Sequence, residues 1–157
     1  MTSPEDSRPF GFDSDQDEMV NAMVTDYTAA NAIVNSLAEE FFCRLPDDMA
    51  RIEDAMKTLQ ANPDDPSARK QLFRLVHDLK GQTGTFGYDL LTVIGNDLCR
   101  FLERPMPLCP RSLRVIRLHL DAMQRVSDLQ LTGHGDAFGR RMVDTVHALT
   151  QKILQTV

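Results

Sequence analysis

The segment from Leu72 to Gly87 gathers the residues of this 157-residue chain best suited to chemistry. At its centre is His77. A neutral imidazole, with an unperturbed pKa of about 6.5, is a competent nucleophile near neutral pH. Lys80 follows three positions on, a spacing that brings two side chains to the same spot on a helix. Its ammonium is a compact point charge of the kind that neutralises phosphoryl oxygens. Gly81 and Gly84 stand where a helix favours longer side chains. Each interior glycine costs about 0.8–1 kcal/mol relative to alanine, so two beside one histidine suggest that something must come close to the backbone. One accessible imidazole, one cation and cleared space are what uptake of a phosphoryl group requires.

Helical geometry gives these residues a common direction. On a wheel of about 100° per residue, Leu72, Leu75, Val76, Leu79, Thr83 and Phe86 lie roughly 200° from His77. They form the face that must meet a core, so His77 points at solvent. Lys70, Phe73, Arg74, Lys80, Gly81 and Gly84 lie within about 60° of it. That neighbourhood is basic in an acidic chain and includes an aromatic ring. Each feature has an ordinary explanation when taken singly. Surface histidines are common, a glycine can end a helix, and a lysine near a helix end complements the dipole. Their coincidence on one face is what singles the segment out.

At these residues a resemblance becomes specific. His77-Asp78-Leu79-Lys80-Gly81-Gln82-Thr83-Gly84-Thr85-Phe86-Gly87 resembles the His-x-x-Lys-Gly signature of the histidine-containing phosphotransfer (HPt) family, with its trailing Gly-Thr-Phe-Gly. The match is best over about 45–103 and extends over the helical region. The resemblance implies an all-α, antiparallel four-helix bundle with additional N-terminal and flanking helices. It also implies relay of phosphoryl groups between receiver aspartates, or their acceptance from a kinase. Under it His77 is the phosphoacceptor through Nε2, Lys80 the stabilising cation and Gly81 the residue that clears the site. The implied partners are a response-regulator receiver domain and a histidine kinase or hybrid kinase. A receiver would pack on Phe73 and on Gly84, with Lys70, Arg74 and Lys80 as a charged rim. No cofactor of the chain's own is implied, since Mg²⁺ would come with the receiver. One position departs from the pattern. Many members carry a glutamine or similar residue 22 positions after the histidine, where this chain has Cys99. A thiol is a poor hydrogen-bond partner, which leaves Asn96 or Gln82 as alternatives for orienting the imidazole. It also keeps open a second reading, a binding module of the same fold that docks a kinase or receiver without carrying phosphate.

The elements that must position this site read as helices almost throughout. Residues 1–16 are polar, acidic and interrupted by Pro and Gly, and are expected to be a flexible tail in which Phe10 and Phe12 could dock. Residues 17–157 then form one HPt-like bundle domain. Val20, Met23, Val24, Tyr27, Ile33, Val34, Leu37 and Phe41 give a first helix over about 17–43 its stripe. Pro46, followed by Asp47 and Asp48, is expected to open a second helix. Asp65 caps a third at Pro66, which runs to about residue 84. Further helices are expected over about 89–103, 111–130 and 137–156, separated by the proline-rich Arg104–Pro110 and the glycine-containing Thr132–Asp136.

Composition bounds the function. The net charge of −6 argues against nucleic acid or an anionic membrane as a partner, since both require a basic footprint. Cys43, Cys99 and Cys109 have no metal-ligand spacing and do not pair up into a disulfide framework, so no metal site is expected. There is neither a signal segment nor an apolar run of about 18 residues, and the protein is expected to be cytoplasmic. A domain without a heptad seam is expected to be a monomer. No phosphate-binding loop is present, so the chain should not bind ATP. His119 sits at helical spacing with Ile116, Met123 and Val126 and reads as structural. His134 and His147 read as surface residues, and Arg111, Arg114 and Arg117 as a solvated strip.

Overall fold

A computed structural model describes residues 14–155 of the chain. Five helices occur among them: α1 (Ser14–Ala61), α2 (Pro66–Thr83), α3 (Asp89–Leu102), α4 (Pro110–Asp128) and α5 (Ala137–Gln155). The last four match the expected helices to within one or two residues. Asp65 caps α2 by accepting a hydrogen bond from the Ser67 amide at 2.8 Å, which satisfies one of the amides a helix start leaves unpaired. Residues 1–13 of the expected tail, including Phe10 and Phe12, lie outside the described residues. Ser14–Gln16 already belong to α1.

The expected break at Pro46 is not there. Proline lies inside α1, where it removes one backbone hydrogen bond at a cost of about 3 kcal/mol. Phe41 and Leu45 on one side of it and Met49, Ile52, Met56 and Leu59 on the other are all buried at three- and four-residue spacing. Full burial stabilises each such side chain by about 1.5–3 kcal/mol, so packing along one face outweighs the local penalty.

The described residues form two compact units, one ending at Glu40 and the other beginning at Phe41. The second unit is the bundle. Its core joins the 41–61 part of α1 to Leu72, Val76 and Leu79 of α2, Leu91, Ile94 and Leu98 of α3, and Val115, Ile116 and Met123 of α4. Helix α5 packs on α3 and α4, but only Gly139 and Val146 of it are buried. It flanks a four-helix core. At the turn after α2 the Phe41 and Phe86 rings stack at 4.9 Å. Arg69 fixes the far end of α3, where its guanidinium donates to the carbonyls of Leu102, Met106 and Arg104. No helix among the described residues is long and apolar enough to cross a membrane.

The first unit is helical from Ser14, and its described large apolar side chains are all exposed. Met19, Val20, Met23, Val24, Tyr27, Ile33, Val34 and Leu37 are between 49% and 70% exposed.

Candidate functional site

Helix α2 divides its faces cleanly. Leu72, Val76, Leu79 and Thr83 are buried, while Leu75 and Phe86 are half-buried. His77 is on the opposite side with 56% of its side chain exposed. The Phe73 ring lies 5.6 Å from the imidazole at an interplanar angle of 30°. Phe73 is half-buried and packs on the core, so it is less open than the wheel alone suggests. It serves as a platform for the imidazole, with one edge anchored in the bundle. Asp78 Oδ1 is 3.8 Å from His77 Nδ1, beyond hydrogen-bond range.

Lys80 is held from the neighbouring helix. Its Nζ donates to Asn96 Oδ1 at 2.7 Å, and its stem runs beside Gly95 of α3. A Cβ on Gly95 would meet Lys80 Cβ at 3.0 Å. Gly95 therefore lets α2 and α3 approach closely at the level of the site. The sequence signal was a lone glycine inside a strongly amphipathic helix, which often marks close backbone approach. Gly81 is different, because a Cβ there would meet nothing within 4 Å. The space beside it is open, so packing within the bundle does not require a glycine. At Gly84 a Cβ would make only ordinary contact with Thr92. Beneath the site Thr83 Oγ1 lies 2.9 Å from the Lys80 carbonyl and 2.8 Å from Thr92 Oγ1, joining the end of α2 to α3.

The proposed orienting residues do not reach the ring. Among the described residues no hydrogen bond joins His77 to Gln82, Asn96 or Cys99. Asn96 is engaged by Lys80. Gln82 accepts from Arg44 at 3.3 Å and donates to the Asp78 carbonyl at 3.4 Å. Cys99 is buried, and burial pushes its thiol up to about 11, with Lys80 opposing and Glu103 assisting the shift. In place of a hydrogen bond, the ring has the stacked Phe73.

Lys70 and Arg74, on the same helix before Lys80, are exposed. They line an open depression of about 540 Å³ with Arg51 of α1 and Asp78. Arg51 was not legible as a site residue, since it reaches this flank from another helix. Other expectations need correction. His134 and His147 are on the surface as expected, but each has a carboxylate neighbour the sequence did not show, with Nδ1 3.0 Å from Asp89 and Asp97 respectively. Arg117 leaves the solvated strip to donate to Glu53 at 2.6 Å. His119 is fully buried, with Nδ1 2.8 Å from the Val115 carbonyl, and burial lowers its pKa. No group of three potential metal ligands occurs among the described residues.

The bundle closes one face of α2 over its core and leaves the His77 imidazole open on the other. The Hpt domain matches residues 36–126, and the chain belongs to that family. It is thus a signalling module of the phosphotransfer type, of a kind that interacts with kinases and receiver domains. Among curated proteins and solved structures no match is found.

Proposed function

We propose that this chain is a phosphocarrier in which His77 accepts a phosphoryl group from a receiver-domain aspartate and donates it onward to another. The Nε2 lone pair attacks the phosphorus of the aspartyl phosphate. The P–O bond to the aspartate breaks, that carboxylate leaves with the electron pair, and an N–P bond forms. The imidazolium then loses its Nδ1 proton to water, and the reverse sequence delivers the group. Lys80, steadied by Asn96, offsets charge on the phosphoryl oxygens. Gly81 leaves room for the incoming surface, and Mg²⁺ belongs to the receiver's acidic pocket. Such a relay places the protein in the cytoplasm with its receiver and kinase partners. The observation that carries the reading is an exposed imidazole on the open face of α2, one turn from a lysine fixed by a second helix.

The test is incubation with phosphorylated receiver domains from the same genome. Wild-type chain should acquire acid-labile, base-stable label. His77→Gln should acquire none and retain its circular-dichroism spectrum, because the side chain supports no core contact. Label on the variant would overturn the assignment. A wild-type chain that binds receivers tightly but never takes label would replace the carrier with a docking module.

A further inference from the structure

We infer that residues 19–37 form a parallel two-stranded coiled coil with the same residues of a second copy of this chain. The eight large apolar side chains of this segment leave on the order of 1,000 Å² open per chain; the largest apolar patch of an ordinary monomer is about 300–600 Å², and a standard interface takes about 800 Å² from each partner. The exposed area is therefore enough to support a dimer.

The spacing of the stripe says what covers it. Val20, Tyr27 and Val34 recur every seven residues, and Met23, Ala30 and Leu37 follow each by three. That is an a/d seam of three heptads, with the 3.5-residue period of a left-handed supercoil. Taken as core, as it is when the sequence is read without contacts, the stripe registers as no seam at all. β-Branched residues at a with Leu at d favour two parallel strands, and Val34 with Leu37 supplies that combination, with Val20 at a second a position. The helix is already formed and continues to Ala61, so association does not have to nucleate it.

Charge fits a second copy of the chain as the partner. No Lys or Arg occurs between Arg8 and Arg44, and Asp26 is the one charged residue from 19 to 38. The outer face carries Asn21, Thr25, Thr28, Asn35 and Ser36, which offer nothing to the anionic lipids that draw in basic amphipathic helices. In a parallel pair the flanking positions of one helix meet those of the next heptad on the other. Met19 then meets Val24, Asp26 meets Asn31, and Ile33 meets Ala38, with no like charges opposed.

The expectation of a monomer gives way to a dimer carrying two His77 residues, a conclusion independent of whether those residues carry phosphate. Sedimentation equilibrium of the full chain at micromolar concentration should give twice the chain mass. The double variant Tyr27→Asp, Val34→Asp should give the single mass with the melting transition of the bundle retained. A wild-type chain at single mass, or a double variant still at twice it, would overturn the inference. A second measurement does not depend on that variant. With Cys43→Ser and Cys109→Ser in place, Ala30→Cys should form an interchain disulfide under mild oxidation, while Asn21→Cys, on the outer face, should not. A dimer that fails to cross-link through position 30, or cross-links equally through 21, would overturn the parallel seam.

Discussion

Two amphipathic helices of this chain follow the same rule of spacing and end in opposite circumstances. In α2 the apolar stripe is closed over by α3 and the later half of α1, and Leu72, Val76 and Leu79 keep at most 2% of their surface. In the first unit a stripe of comparable size stays open, with Leu37 and Val34 about half exposed. Periodicity thus says that a face wants covering, without saying by what. The difference lies in the other face. Opposite its stripe α2 carries His77, Lys70, Arg74 and a bare glycine. The described part of the first unit has an outer face of Asn, Thr and Ser, and its large exposed side chains are those of the stripe.

The sharpest way to break the comparison is to truncate one leucine in each stripe. Leu72→Ala should cost the bundle about 2–5 kcal/mol, since it leaves a cavity in a closed core. Leu37→Ala should change the bundle's own unfolding free energy by no more than about 0.5 kcal/mol, since Leu37 lies outside the bundle core and its seam contacts are with the second copy. Chemical denaturation followed by circular dichroism reads both. Equal losses would mean that the first stripe is covered within its own chain.

The open face of α2 allows the next separation. Gly81→Gln should slow phosphoryl uptake from a receiver at least tenfold, because a long side chain fills the space beside His77. It should leave stability unchanged or raised by up to about 1 kcal/mol, the ordinary gain from removing a helical glycine. The empty surroundings of a Cβ at this position make both outcomes expected of one variant. Unchanged transfer in a stabilised variant would show that access to His77 does not depend on Gly81.

Phe73 belongs partly to both faces, so its replacement should have a smaller and mixed effect. Phe73→Ala should weaken receiver binding more than Lys70→Ala does, mainly through faster dissociation, since aromatic anchors dominate interface energy. Arg74→Ala should mainly slow association and flatten its salt dependence. Because Phe73 also stacks on His77, its variant should in addition shift the imidazole resonances of the free protein. Surface plasmon resonance at two salt concentrations and NMR of the free chain read these effects. Equal affinities for the Phe73 and Lys70 variants would remove the anchor.

How far this was legible in the sequence follows from the range of each interaction. Helices α2 to α5 were readable because their stripes, the Asp65–Pro66 start and the glycine and proline breaks are local signals. His77 and its cleared surroundings were readable because they share a single helix, whose geometry sets their directions. Continuity of α1 through Pro46 was not, since it depends on burial contributed by other helices. The contacts of Lys80 with Asn96, His147 with Asp97, His134 with Asp89 and Arg69 with the end of α3 were hidden for a related reason. Each depends on how one segment of the chain is placed against another, which no local pattern encodes. The same limit explains why Asn96 could be taken for a partner of the imidazole when it serves the ammonium.

The smallest effect concerns two thiols that repeat the contrast between covered and open. Cys99 lies under α2, and burial raises its pKa to about 11. Cys109 is exposed at the start of α4, where Ser112 Oγ lies 3.4 Å from its sulfur, and hydrogen bonding to Ser112 lowers its pKa to about 7. A thiolate is the reactive form, and one beside a helix N-terminus is further favoured. At pH 7 about half of Cys109 is therefore ionised, whereas Cys99 is protonated and shielded. Iodoacetamide at that pH should modify Cys109 well before Cys99, with the Cys109 rate rising as pH passes through 7 and then levelling. Ser112→Ala should move that rise to higher pH without touching Cys99, which should react only on unfolding. Peptide mass spectrometry over a time course reads the order. Early modification of Cys99 would mean that α2 and α3 open readily beneath the site, and that the covered face is less closed than the core contacts of Val76 and Leu98 require.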